Sequence, residues 1–226
     1  MPTEICSYRL SLRGKPIGSY VMSTSLRGRL VFLESKLVLQ GSMGNVSVTQ
    51  RSKSHRFDFY SLSFHEETQT RGETRQFAMQ FDSETGLVRA NKSGDVADMP
   101  YTRPFLDPLA LLYRVRHLGE VQQLRVPMIG KDVVLERTQT TELNTSAFGK
   151  REAHEYHLYP GGSYVYVDAA APHHLLMLSQ KVDGQLIDAT LVRVDEEADV
   201  LRDDRRNRQQ GRRRKQRQQG RPQRRQ

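Results

Sequence analysis

Several short stretches carry residue types that could do chemistry. His154-Glu155-Tyr156-His157 places two imidazoles around a carboxylate, and these are zinc-ligating groups. The zincin arrangement needs its histidines four apart on one helical turn, with the glutamate between them as base. Here they are three apart inside an alternating stretch, and in a strand that spacing sends them to opposite faces. A surface strand with incidental histidines is the expected state. His173-His174 follows Pro172 at a turn, where adjacent side chains also diverge, and no third ligand is evident near either pair. Cys6 is the only cysteine, which excludes an intrachain disulfide and a cysteine-based metal cluster. No nucleophile signature surrounds Cys6, and a thiol on a first strand is more often packing. Gly161-Gly162-Ser163 has the composition of a phosphate loop, yet Pro160-Gly161-Gly162 between two strands is turn chemistry and no helix N-terminus follows. The Gly-x-Ser-x-Gly, Walker and Rossmann patterns are absent. The expectation is a non-enzymatic protein with no catalytic residue, metal ligand or cofactor.

Electrostatics give the strongest signal. Arg205, Arg206, Arg208, Arg212, Arg213, Arg214, Lys215, Arg217, Arg221, Arg224 and Arg225 crowd the last 22 residues, which contain no acid. The whole chain carries +9; residues 202–226 hold twelve basic residues against Asp203 and Asp204, so the first 201 residues sum to −1. A pI near 9.8 therefore describes an appendage and not a globular surface. Arginine forks suit phosphates, and the interleaved Gln and Asn add hydrogen-bonding partners. These eleven side chains are the expected nucleic-acid-binding residues, for DNA or RNA. Anionic membrane is the other surface such a tail could touch, and a charge-balancing extension is the plainest alternative.

The elements that must position any site follow from a period of two. Tyr8, Leu10 and Leu12 alternate with Arg9, Ser11 and Arg13, Gly14-Lys15-Pro16 turns the chain, and Tyr20, Met22 and Leu26 return. Leu37/Leu39, Val46/Val48, Phe57/Phe59 and Phe77/Met79/Phe81 repeat the pattern, as do pairs from Leu124 to Val194. Such alternation reads as antiparallel strands with one wet face. Residues 107–118 break the period: Asp107 can cap, Pro108 fits the first helical position, Leu111, Leu112, Val115 and Leu118 form a stripe, and Gly119 closes it. A single amphipathic helix between two runs of strands needs a cover, and the concave face of a curved sheet is the natural one. The folded domain is expected to span 1–194. Residues 195–226 form an acidic spacer and a tail too polar to offset the entropy of ordering, hence a disordered one.

Three stretches resemble the bacterial domain-of-unknown-function family 3108. Tyr8 to Gly18 is similar to its first strand, G-x-P-x-G turn and second strand. Asp107 to Arg116 is similar to its D-P-L-x-x-L-Y-x-x-R helix. Tyr164 to Asp168, Pro172 to Leu176 and Thr190 to Val192 resemble its closing strands. The resemblance implies a curved antiparallel sheet or half-barrel with one plugging helix, like lipoprotein-carrier half-barrels, and transfers no catalytic residue. Family members are usually exported, whereas Met1 to Cys6 shows no basic leader and no run reaches the ~20 apolar residues of a transmembrane segment. A cytoplasmic location is the default.

Taken together, the reading is a mainly β protein that associates with nucleic acid through its tail, with the β domain adding recognition. Outward-facing Phe57, Phe59, Tyr60, Tyr164 and Tyr166 would make a stacking platform for single strands; facing inward they are core, which their spacing favours. Arg51, Lys53, His55 and Arg56, with Arg71 and Arg75, form a local basic group. The alternative is a carrier or sensor that holds an apolar ligand in the half-barrel, and a third is a module that docks a protein partner. An apolar concavity beneath residues 107–118 would favour the carrier. A filled core with an aromatic, basic outer face would favour nucleic acid.

Overall fold

A computed structural model describes residues 2–41, 44–102, 104–119, 121–128, 131–182 and 184–197. The alternating stretches form β1 (Thr3–Leu12), β2 (Lys15–Arg27), β3 (Leu30–Leu39), β4 (Val46–His55), β5 (Ser61–Thr70), β6 (Glu73–Asp82), β7 (Leu87–Lys92) and β8 (Asp95–Pro100). Helix α1 (Pro108–Val115) follows. Then come β9 (Gln123–Met128), β10 (Lys131–Thr145), β11 (Gly149–Tyr159), β12 (Ser163–Asp168), β13 (Leu175–Val182) and β14 (Gln185–Glu197). Each strand pairs antiparallel with its sequence neighbours, save that β8 and β9 are the two edges and β14 pairs with β1. The sheet is thus two meanders joined along the first and last strands, with α1 linking their far edges. No described helix is long and apolar enough to cross a membrane.

Curvature comes from register irregularities. Bulges at Ser7/Tyr8, Leu10/Ser11, Lys53/Ser54, Arg137/Gln139 and Tyr166/Val167 bend the strands that carry them. β10 comes back against β14, four places away in the sheet. Gly18 serves a close approach: a Cβ there would sit 1.9 Å from the Val38 carbonyl oxygen, so no side chain fits between β2 and β3.

Three expectations need correction. Phe57 and Phe59 are not in a strand; β4 ends at His55 and β5 starts at Ser61, and Phe59 takes a left-handed φ of 48° in the turn between them. The inward residues of β4 here are Ser52 and Ser54, whose polarity hides the core-facing pattern. The helix stops at Val115, four residues before Gly119, where the backbone tightens into three-residue turns: the His117 N–H donates to the Arg114 carbonyl at 2.9 Å and the Leu118 N–H to the Val115 carbonyl at 3.2 Å. The acidic residues Asp195 to Glu197 are the last rungs of β14, paired with Ile5, Glu4 and Thr3, so the strand passes the expected boundary at 194. The end of a strand keeps charges in water at no cost to its ladder.

Asp107 explains the inward Ser52, whose hydroxyl also lies 3.0 Å from that of Ser54. Asp107 is fully buried at the helix N-cap, and its Oδ1 accepts from the Leu109 and Ala110 backbone N–H groups at 3.0 Å each. Its Oδ2 accepts from the Ser52 and Ser61 hydroxyls at 2.7 and 2.6 Å, and its own N–H donates to Ser61 Oγ at 2.8 Å. Burial pushes the Asp107 carboxyl upward, against the opposing pull of these hydrogen bonds. The cap thus nails α1 to β4 and to the start of β5. Asp107→Ala should remove the cap and leave two buried hydroxyls without an acceptor, costing about 3 kcal/mol in urea denaturation. An unchanged midpoint would show that the helix is held by its apolar face alone.

Candidate functional site

α1 bridges two apolar clusters. Ala110, Leu111 and Val115 pack with residues of β1, β2 and β9 to β14, while Leu109 and Tyr113 pack with β3, β5, β6, β7 and Phe105. Eight residues make a rod of about 12 Å. A cavity of about 580 Å³ lies between the helix and the concave face. Pro108, Leu111 and Leu112 roof it; Leu10, Leu37, Leu39 and Val48 line one side, and Val133, Leu158, Val165, Leu178 and Ile187 the other. Small residues on the sheet, such as Ala189 and Ser179, keep the space open. One polar rung crosses the wall: the Ser35 hydroxyl donates to Gln50 Oε1 at 3.1 Å, and Gln50 Nε2 donates to Glu66 Oε2 at 2.7 Å.

At the C-terminal end of α1, Arg116 is buried and makes a two-pronged pair with Glu4 of β1, its Nη2 lying 3.1 Å from Oε2. Its Nε donates to the His173 carbonyl at 3.0 Å. Burial pushes the Glu4 carboxyl up, but the hydrogen bonds and charge of Arg116 more than offset this, and its pKa falls below the ordinary 4.5. His174 completes the group. Its Nδ1 lies 3.4 Å from Glu4 Oε2 and makes no hydrogen bond, and burial lowers its pKa. Glu4, Cys6 and His174 bring ligand atoms within 4.8 Å of one another, so His174 does meet further ligand types, from β1. The chemistry fits an ion pair better than a metal: Arg116 already occupies both Glu4 oxygens, and burial raises the Cys6 thiol to about 12.

The other candidates are scattered. His154 lies with Arg137, Tyr156 and His173 around a second cavity of about 310 Å³, and its Nδ1 is 2.8 Å from Arg137 Nη2. His157 instead stacks on Tyr164, ring centroids 4.5 Å apart, so the two histidines diverge as their spacing implies. Gly161 and Gly162 take positive φ in the turn between β11 and β12. Of the five aromatic candidates only Phe57 is largely exposed, at 58%; Phe59 packs against Tyr113 and lies beneath Arg114, 4.2 Å from its ring centroid. The basic group is also broken up: His55 is buried and stacked on Tyr60, Arg51 faces Glu34 at 3.8 Å, and Arg75 pairs with Glu73 at 2.7 Å. Arg205 to Arg225, the expected nucleic-acid-binding residues, lie outside the described residues.

A family model described as a protein of unknown function, DUF3108, matches residues 7–199. Among solved structures the chain is similar to the crystal structure of a beta-barrel-like protein of domain of unknown function DUF1849 from Brucella abortus. The TM-score is 0.60 at 10% identity, over 88% of this chain and 99% of that one. At that identity the likeness concerns the fold alone. No curated protein matches.

The Glu4–Arg116 pair sets a pH dependence. A carboxylate whose folded pKa is depressed stabilises the fold above its unfolded value, and that contribution is lost as pH falls through the folded value. Glu4→Gln should cost about 3 kcal/mol at pH 7 by leaving Arg116 buried and unpaired. The gap to wild type in urea denaturation should narrow as pH drops from about 5 to about 3, where Glu4 itself becomes neutral. A gap constant with pH would mean that the ion pair contributes nothing.

Proposed function

We propose a function for this chain, which belongs to the DUF3108 family of proteins of unknown function: it is a non-enzymatic carrier or sensor that holds an apolar ligand between its curved sheet and α1. The observation that supports this reading is the cavity of about 580 Å³ beneath residues 108–112, walled mainly by Leu, Val and Ile. Small-molecule sites are concave, mostly apolar and about 300–1,000 Å³ in volume, with a few convergent polar groups. The outer face offers less to a single strand, since Phe57 alone of its candidate aromatics is largely exposed, and Arg51 and Arg75 face carboxylates.

The reading has a direct check in the fluorescence of the neutral probe N-phenyl-1-naphthylamine. Wild type should bind it saturably, at one site. Ala189→Phe puts a ring into the cavity from β14 and should abolish the signal, at a stability cost of about 1–3 kcal/mol from overpacking. Equal probe binding by the two proteins would place the ligand elsewhere.

The charge split favours a second activity for the tail, namely sequence-independent binding of DNA or RNA by phosphate neutralisation. A cytoplasmic location belongs with that reading. With roughly six charges engaged, log affinity should fall against log salt with a slope of about −4 on single strands and about −5 on duplex. Truncation after Val200 should remove this binding and leave the fold intact. Binding that survives truncation, or that ignores salt, would assign it to the β domain.

A further inference from the structure

The cavity beneath α1 is poor in charge to an unusual degree. Glu66 on β5 is the only Asp, Glu, Lys, Arg or His among the described residues that line it. It stands on the concave face between Gln50 of β4 and Phe77 of β6, its partners in the ladder. Its Oε2 accepts from Gln50 Nε2 at 2.7 Å, and Gln50 Oε1 accepts from the Ser35 hydroxyl at 3.1 Å. This chain of hydroxyl and amide crosses β3 to β5 and fixes the direction of the carboxylate. Among the described residues nothing donates to Glu66 Oε1, and no Lys, Arg or His forms an ion pair with Glu66.

Glu66 is half-buried, and a ligand that brings a cation to this carboxylate gains a charge-assisted hydrogen bond at an otherwise apolar wall. An anionic head group would meet the opposite: a like charge in a site of low polarity, with no guanidinium or ammonium among the described residues that line it. Resting on the carrier reading above, we infer that the cavity takes a single-chain amphiphile with a cationic head group. Its ammonium sits against Glu66 Oε1 and its hydrocarbon lies along Leu37, Leu111 and Val165. The fatty-acid anion of the same length is rejected. Glu66 is then the specificity-determining residue, and Gln50 its positioning residue.

The test uses the full chain at pH 7, where an alkylamine is protonated and a fatty acid ionised. Dodecylamine, dodecanol and dodecanoate, each below its micelle concentration, compete for bound N-phenyl-1-naphthylamine. The amine should bind at least about tenfold more tightly than the alcohol, the scale of one charge-assisted hydrogen bond, and the carboxylate should bind most weakly. Glu66→Gln keeps the shape and can still accept from Gln50 and from an alcohol hydroxyl, so the alcohol should still bind it, with a smaller loss than the amine shows. The amine should lose its advantage in this variant, and the carboxylate should gain. Circular dichroism of the variant verifies its fold. Dodecanoate binding wild type as well as the amine does would overturn the inference. So would an amine-to-alcohol ratio unchanged in Glu66→Gln; with the alcohol still bound in either case, the carrier reading stands. If none of the three displaces the probe, the carrier reading falls and this inference with it.

Discussion

The buried carboxylate of Asp107 is the interaction on which the rest of this structure depends. A strand meander has no intrinsic reason to place a short helix at one point of its concave face, because apolar contacts are non-directional and tolerate sliding. Four hydrogen bonds to one side chain do not tolerate it. Two come from the first turn of α1, and two from hydroxyls on β4 and β5. They fix both the start of the helix and its direction across the groove. Ser52 and Ser61 give up core positions that Val or Leu could have filled, and the return is a positioned roof.

The position of that roof decides the shape of the interior. α1 connects edge strands β8 and β9, while β1 and β14 close the middle of the sheet. Its two ends are held by different means: hydrogen bonds of the cap at Asp107, and the buried pair of Arg116 with Glu4 at the other end. With both ends tied and only eight residues between, the helix cannot settle deeper into the groove. The space beneath it follows from the tethers as much as from the small side chains on the sheet. Arg116 also reaches the His173 carbonyl, so the turn between β12 and β13 belongs to the same anchor.

Much of this was legible in the sequence, and the failures have physical causes. Alternation located most strands, and Asp107-Pro108 marked the helix start, because both signals are local. Val46 and Val48 marked the start of β4, but its later inward residues are Ser52 and Ser54, which invert the usual pattern of apolar in and polar out. Phe57 and Phe59 mimicked a strand by chance spacing in a turn. The end of α1 came early because its last turns tighten to three-residue hydrogen bonds, and the Arg116 tether to a carboxylate 112 residues away is a contact that no local rule contains. His174 was singled out, but its neighbours Glu4 and Cys6 come from the opposite end of the chain. Glu66 drew no notice at all: a glutamate in the alternating Phe64-His65-Glu66-Glu67 stretch reads as solvent-facing unless the register is known, and here Glu66 shares the concave side with Phe64.

Three carboxylates of the concave side show how partner counts separate structure from function. Asp107 receives four hydrogen bonds and has no capacity left. Glu4 is matched by a guanidinium on both oxygens, so its charge is cancelled within the fold. Glu66 receives one amide and no cation from the described residues, although it borders a cavity large enough for a ligand. Glu66 is only half-buried, and its second oxygen is open to the cavity and not sealed into the fold. The first two carboxylates hold α1 in place. The third does nothing for the helix, and its unspent valence points to where an incoming cation would be stabilised.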